Sequence, residues 1–248
     1  MSTPAAKIIN GIKTFIPLEN NPSVHTHLAQ TLSLNPTLTF HDILTIDPNT
    51  PQPDSLSRPI NALIFLCAAP IYKPARSTLH ATLPKHTSPE PIIWLPQTIG
   101  HACGLMAFLH CILNLNDGAY ITPGTELAAL RERLIPLVPE ERAKVVYQSV
   151  FLEEAHMDAA RGGSSRVPDP EEDNGFHFVG FVKGVDGRVW ELNGGLPGPV
   201  ERGVLGEGED LVGPAGLRLT VGDFVEVAQG MEEGRGLGIS LVGLAGSG

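Results

Sequence analysis

"PQTIGHACGLMAFLHCILN", residues 96–114, sets a cysteine between a loop-like approach and an apolar run. Apolar side chains at 102, 105, 106, 108, 109, 112 and 113 predict a helix over 102–115 that is buried on most sides. Cys103 then falls in the first turn, where unpaired N–H groups and the helix dipole favour a thiolate. The plainer reading is a small buried hydrophobe, which holds for most cysteines. Two features speak for a nucleophile. Gly100 and Gly104 leave space for a substrate carbonyl to approach the backbone, and the amide of Gln97 can donate to a developing oxyanion.

A nucleophile needs a base. His110 is seven residues further along the helix. At 1.5 Å per residue that is roughly 10 Å, too far for a hydrogen bond. His101 is close in sequence, but its direction is undetermined. His177 is the better candidate, because it sits where a polar loop enters an apolar strand; a strand histidine with a satisfied ring is the alternative. "FHFVGFVKG" and "GRVWELNG" read as a hairpin with Asp186-Gly187 in its turn. A three-residue turn at 185–187 with Gly187 left-handed pairs positions whose numbers sum to 372. His177 then opposes Gly195, and Asn193 is its diagonal neighbour on the same face. A two-residue turn would send Asn193 to the other face. The geometry permits a Cys103–His177–Asn193 relay in which asparagine orients the imidazole.

Around these segments the chain reads as one α/β domain of mixed order, with no internal repeat. Residues 1–59, rich in Pro, Asn and Thr, read as a loop-heavy entry. "NALIFLCAA" (61–69) reads as a central buried strand, and a polar loop follows from Pro70 to about Pro91. Thr122-Pro123 predicts a helix start running toward Arg133, and Pro139-Glu140-Glu141 a helix to about Ala160. Residues 161–175 read as an exposed loop. Thr220-x-x-Asp223 resembles a capping box before a helix to about Glu232, and "LGISLVGLA" (237–245) a last strand.

Composition narrows the function classes. Apolar residues make up 42% of 248, and no apolar run reaches membrane-spanning length. No leader pattern opens the chain, and three cysteines in a largely apolar setting fit a reducing compartment. The expected location is the cytoplasm, with the nucleus also open to it. A net charge of −10 argues against nucleic-acid binding through a basic face and suits a basic partner. No metal is expected, since the pair His25-x-His27 lacks further ligands at metal spacing and reads as solvated loop.

The Cys and His segments together resemble the ubiquitin C-terminal hydrolases, a family of cysteine peptidases. "LPQTIGHACGLMAFLHCILN" is similar to the family's Gln-to-Cys segment, and "HFVGFVKGVDGRVWELNGG" to its His hairpin. "PLENNPSV" (17–24), "INALIFLCAA", "PEERAKVV" and "GISLVGLA" are similar to its entry segment, first strand, a surface helix and last strand. The resemblance runs from about Phe15 to Ala245. It implies a papain-like α/β (α+β) core, a central antiparallel sheet flanked by helices, with a knotted chain path. It makes 1–248 a single catalytic domain and 158–175 a crossover loop spanning the active site.

It also assigns roles: Cys103 as nucleophile, His177 as general base, Gln97 in the oxyanion hole. Two positions depart from the family. Asn193 stands where the family has aspartate, and His101-Ala102 stand where Asn and Ala or Ser are more usual. The implied activity is deubiquitination, releasing small or flexible adducts from the C-terminal glycine of ubiquitin or a close ubiquitin-like modifier through a thioester. Ubiquitin's basic tail, Arg-Leu-Arg-Gly-Gly, would suit the acidic chain. No cofactor, nucleic acid or membrane is implied, and a monomer is expected. Two rivals stand beside this reading: a ubiquitin-binding pseudoenzyme weakened by Asn193, and another papain-like acyl-transfer enzyme.

Overall fold

In the computed structural model, residues 6–89, 92–163, 175–231 and 238–246 are described. The apolar run at 61–69 forms β4 (Ile60–Ala68). It lacks strict alternation because both its faces are covered. Ala62 and Ile64 point into one core, while Leu63, Phe65 and Cys67 point into another. The first core holds α3 (Cys103–Asn114), the cysteine-bearing helix, in which every residue from Cys103 to Leu113 is buried. The second holds α2 (Ala69–Thr82), α7 (Pro214–Thr220) and α8 (Gly222–Gln229).

Between these cores lies a six-stranded antiparallel sheet. It adds β3 (Leu38–Asp42), β5 (Phe176–Lys183), β6 (Arg188–Leu192), β7 (Val200–Val204) and β8 (Ile239–Gly246) in the order β3-β8-β4-β5-β6-β7. The last strand is thus inserted between β3 and β4. The α/β class and helix-flanked antiparallel sheet expected from the sequence are present. The β5–β6 register is also the expected one: Gly180 faces Leu192 and Lys183 faces Val189, with Gly187 left-handed at φ 81°. Among the described residues no helix is long and apolar enough to cross a membrane.

Several expectations need correction, each for a local reason. The entry segment is more ordered than a loop. Asn10-Gly11, both at positive φ, turn β1 (Lys7–Ile9) into β2 (Ile12–Thr14), which is the Asn-Gly hairpin signal. Asn21 caps α1 (Pro22–Thr31) by accepting from the Ser23 N–H at 2.9 Å, with Pro22 in the first turn.

The polar loop after Pro70 is largely α2. Pro70 lies in the first turn, where no donor is needed, and Pro74 forfeits one bond, the one its N–H would have made to the Pro70 carbonyl. Thr125, not Thr122, caps α4 (Glu126–Leu134), accepting from the Ala128 N–H at 3.2 Å. The long helix after Pro139 is two. Ser149 ends α5 (Pro139–Gln148) and caps α6 (Val150–Arg161), accepting from Leu152. Residues 158–161 of the expected crossover loop are therefore helix, and 164–174 lie outside the described residues.

The capping box at Thr220 does not form. The Thr220 hydroxyl donates back to the Gly216 carbonyl at 2.8 Å, and Asp223 accepts from Arg76 and Arg202. His25 is not solvated loop. It is fully buried in α1, in a three-ring cluster with Phe40 and Phe108, while His27 pairs with Asp158 on the surface.

Candidate active site

Cys103 opens α3, as its apolar spacing required. Ala102 offers no capping side chain, so the first N–H groups of the helix are free to face the sulfur. Burial pushes the thiol above its ordinary value, while the N–H groups of Phe178, Gly104 and Cys103 pull it back down. Phe178 follows His177 on β5, so the sulfur lies against the backbone next to that histidine.

Gly100 and Gly104 do not open a path for substrate. A Cβ at Gly100 would lie 2.7 Å from the Thr14 hydroxyl, and one at Gly104 would lie 3.0 Å from the Leu18 side chain. Their missing side chains admit the entry segment, which is tied on by bonds from Phe15 N–H to the Gly100 carbonyl and from Gly100 N–H to the Lys13 carbonyl. His101 adopts φ 55°, a left-handed conformation that asparagine tolerates better than histidine.

His177 and Asn193 meet, though not as ladder neighbours. The β5–β6 pairing stops at Gly180–Leu192, and Asn193 begins a turn. His177 instead pairs with Cys67 on β4. The turn nevertheless brings Gly195 against the ring, where an added Cβ would sit 3.6 Å from His177 Cε1. Asn193 Oδ1 accepts from Gly195 N–H at 2.9 Å and meets His177 Nε2, also at 2.9 Å.

That geometry settles the tautomer. A backbone N–H can only donate, so the atom it meets is the amide oxygen. The oxygen can only accept, so His177 carries its proton on Nε2 and leaves Nδ1 as a base. Burial lowers His177 below its ordinary 6.5; the Asn193 bond raises it part of the way back, and nearby His80 lowers it. Thiol and imidazole are thus both biased toward their neutral forms, against a preformed ion pair.

Gln97 is held beside this turn. Its N–H donates to the Gly194 carbonyl at 2.9 Å, and its side-chain amide donates to the Ile99 carbonyl at 3.2 Å. The approach is close enough to require glycine at 194, since a Cβ there would lie 2.7 Å from the Leu95 carbonyl. Two residues given no such role by the sequence fix the same loop. The Trp94 indole donates to the Asn193 carbonyl at 3.1 Å, and buried His110 accepts from Leu95 N–H at 2.9 Å.

A third is Tyr72, whose hydroxyl accepts from Asn193 Nδ2 at 2.8 Å. His110 was weighed only as a base, and Trp94 lies just ahead of the segment read for the site; Tyr72 was hidden in the proline-bearing stretch read as loop. Cys67 and Cys111 are buried free thiols, and burial raises Cys67 to about 12 and Cys111 further. Among the described residues no group of three or more His, Cys, Asp or Glu side chains is placed to hold a metal ion.

The family model described as ubiquitin carboxyl-terminal hydrolase, family 1, matches residues 15–224. The chain belongs to that family. A ubiquitin carboxyl-terminal hydrolase of Aplysia californica is 30% identical over 191 residues, covering 76% of this chain and 86% of the relative. The rat isozyme L1 hydrolase is 29% identical over 193 residues, covering 77% and 83%. Among solved structures, the UCH37 catalytic domain of Trichinella spiralis, bound to ubiquitin vinyl methyl ester, superposes with a TM-score of 0.69 at 19% identity. That match covers 94% of this chain and 96% of that one. At that identity the likeness carries the fold of a family hydrolase.

Proposed function

We propose that this chain is a deubiquitinating thiol hydrolase that releases small or flexible adducts from the C-terminal glycine of ubiquitin. The observation that carries the reading is the His177 tautomer fixed by Asn193, with Cys103 at a helix N-terminus against the N–H of Phe178, the next residue along β5. His177 Nδ1 takes the Cys103 proton, and the thiolate attacks the glycine carbonyl carbon. The oxyanion is held by the Cys103 N–H and the Gln97 amide, which turns from the Ile99 carbonyl to do so. The imidazolium then protonates the departing amine, and water, activated by His177, hydrolyses the thioester.

A specific observation favours a second reading. Burial raises Cys103 and lowers His177, and among the described residues an amide rather than a carboxylate stands behind the imidazole, so a ubiquitin-binding pseudoenzyme is the competing proposal. A ubiquitin carrying a C-terminal electrophile and a fluorogenic ubiquitin amide separate the two. The hydrolase labels at Cys103 and turns over the amide, and Cys103→Ser abolishes turnover while keeping ubiquitin binding. Labelling without turnover supports the pseudoenzyme. Turnover near wild type in Cys103→Ser removes that cysteine from the mechanism.

A further inference from the structure

Asn193 differs from an aspartate in one respect that the structure makes consequential. A carboxylate presents two acceptors, whereas an amide presents an acceptor on one side and a donor on the other. A neutral residue in this position therefore works in one orientation. Turned over, its NH₂ would face the Gly195 N–H and the His177 ring nitrogen, and no acceptor would meet the proton on Nε2.

What holds the amide on its far side is Tyr72. The hydroxyl accepts from Nδ2 at 2.8 Å, and the phenol ring packs on the His177 imidazole with centroids 4.1 Å apart. The placement of Tyr72 is itself enforced. One turn further along α2, fully buried Arg76 donates through Nε and Nη2 to the two carboxylate oxygens of Glu191, each at 2.7 Å. Arg76 also reaches Asp223 and lies 3.8 Å from the Phe224 ring centroid. Residues four apart share a helix face, and Asn193 lies two residues after Glu191, just past the end of β6. The clamp between Arg76 and Glu191 thus sets Tyr72 opposite Asn193.

We propose that Tyr72 is a positioning residue: the Gly195 N–H selects which amide atom faces His177, and Tyr72, by accepting from Asn193 Nδ2 and packing on the ring, holds amide and imidazole in place so that the proton stays on Nε2. This rests on the reading of His177 as the base. Tyr72→Phe keeps the ring and removes the hydroxyl, leaving a buried amide N–H without its partner.

The test is a double-mutant cycle with Asn193→Asp, read by steady-state turnover of a fluorogenic ubiquitin amide and by nitrogen-15 NMR of the His177 tautomer. In the wild-type background Tyr72→Phe should lower kcat about tenfold, with KM moving less than about twofold, and should deplete the Nε2–H tautomer. In the Asn193→Asp background, where either oxygen accepts, the same change should cost less than about threefold. An equal cost in both backgrounds, or an unaltered tautomer in Tyr72→Phe, overturns the proposal. Absence of turnover in the wild type sinks the hydrolase reading, and the tautomer measurement still decides what Tyr72 does.

Discussion

Asn193 is 1% exposed, and its amide bonds His177, Gly195 and Tyr72. It orients the imidazole without lending it charge. An aspartate there would also stabilise the imidazolium that forms as Cys103 loses its proton. Asn193→Asp should therefore raise kcat about tenfold and raise the pKa of His177. The sign on the pH profile follows. His177 must be neutral to accept a proton, and burial holds it below 6.5, so the acid limb of kcat/KM for the wild type should lie below pH 6.5. In Asn193→Asp that limb should move to higher pH. Asn193→Ala should lose most of the rate; turnover equal to wild type would remove Asn193 from the orienting role.

At the scale of elements, the piece that matters most to the site is the one the sequence disguised. Prolines at 70 and 74 made α2 look like loop; Pro70 falls in the first turn, where a helix loses little, while Pro74 gives up a bond inside the helix, and α2 still delivers Tyr72 and Arg76. Arg76→Met should cost about 3–5 kcal/mol, because Glu191 would stay buried with Arg202 at 3.6 Å as its remaining cation. Denaturant unfolding measures this; a loss below about 1 kcal/mol would mean the clamp is not holding α2 to β6. The helix start at Cys103, the strand entry at His177 and the hairpin register were legible because local signals carry them: apolar periodicity, a left-handed glycine and a fixed turn length. The Tyr72, Trp94 and His110 contacts were not, because each joins segments distant in sequence through a bond only the folded chain makes. Gly100 and Gly104 show the opposite failure. Their lack of side chains was read correctly, but the space belongs to Thr14 and Leu18 rather than to substrate.

Across the whole molecule, three fully buried histidines tie stability to pH. Burial holds His25 and His110 at about 3 and His156 at about 4. Each is neutral in the fold, while the unfolded chain takes up protons from about pH 6.5 downward. Their contribution is therefore intact above 6.5 and is lost as pH falls toward 4, steepening to roughly 4 kcal/mol per pH unit for the three together. Urea midpoints at pH 7.5, 6.0 and 5.0 should decline steadily; a flat series would show that these sites open to water before the fold does.

The position of β8 bears on how the molecule is made. β3 makes its ladder with β8, and β4 joins β3 only through it. On a ribosome, then, the β5–β6 hairpin is out and β3 and β4 still wait with open edges until residues 239–246 clear the exit tunnel. The cell would acquire this activity only once β8 has been made, in one step rather than by degrees. Protease sensitivity of nascent chains stalled at successive lengths would show it, as a single abrupt gain of protection once β8 emerges; gradual protection from β5 onward would show instead that half a sheet suffices.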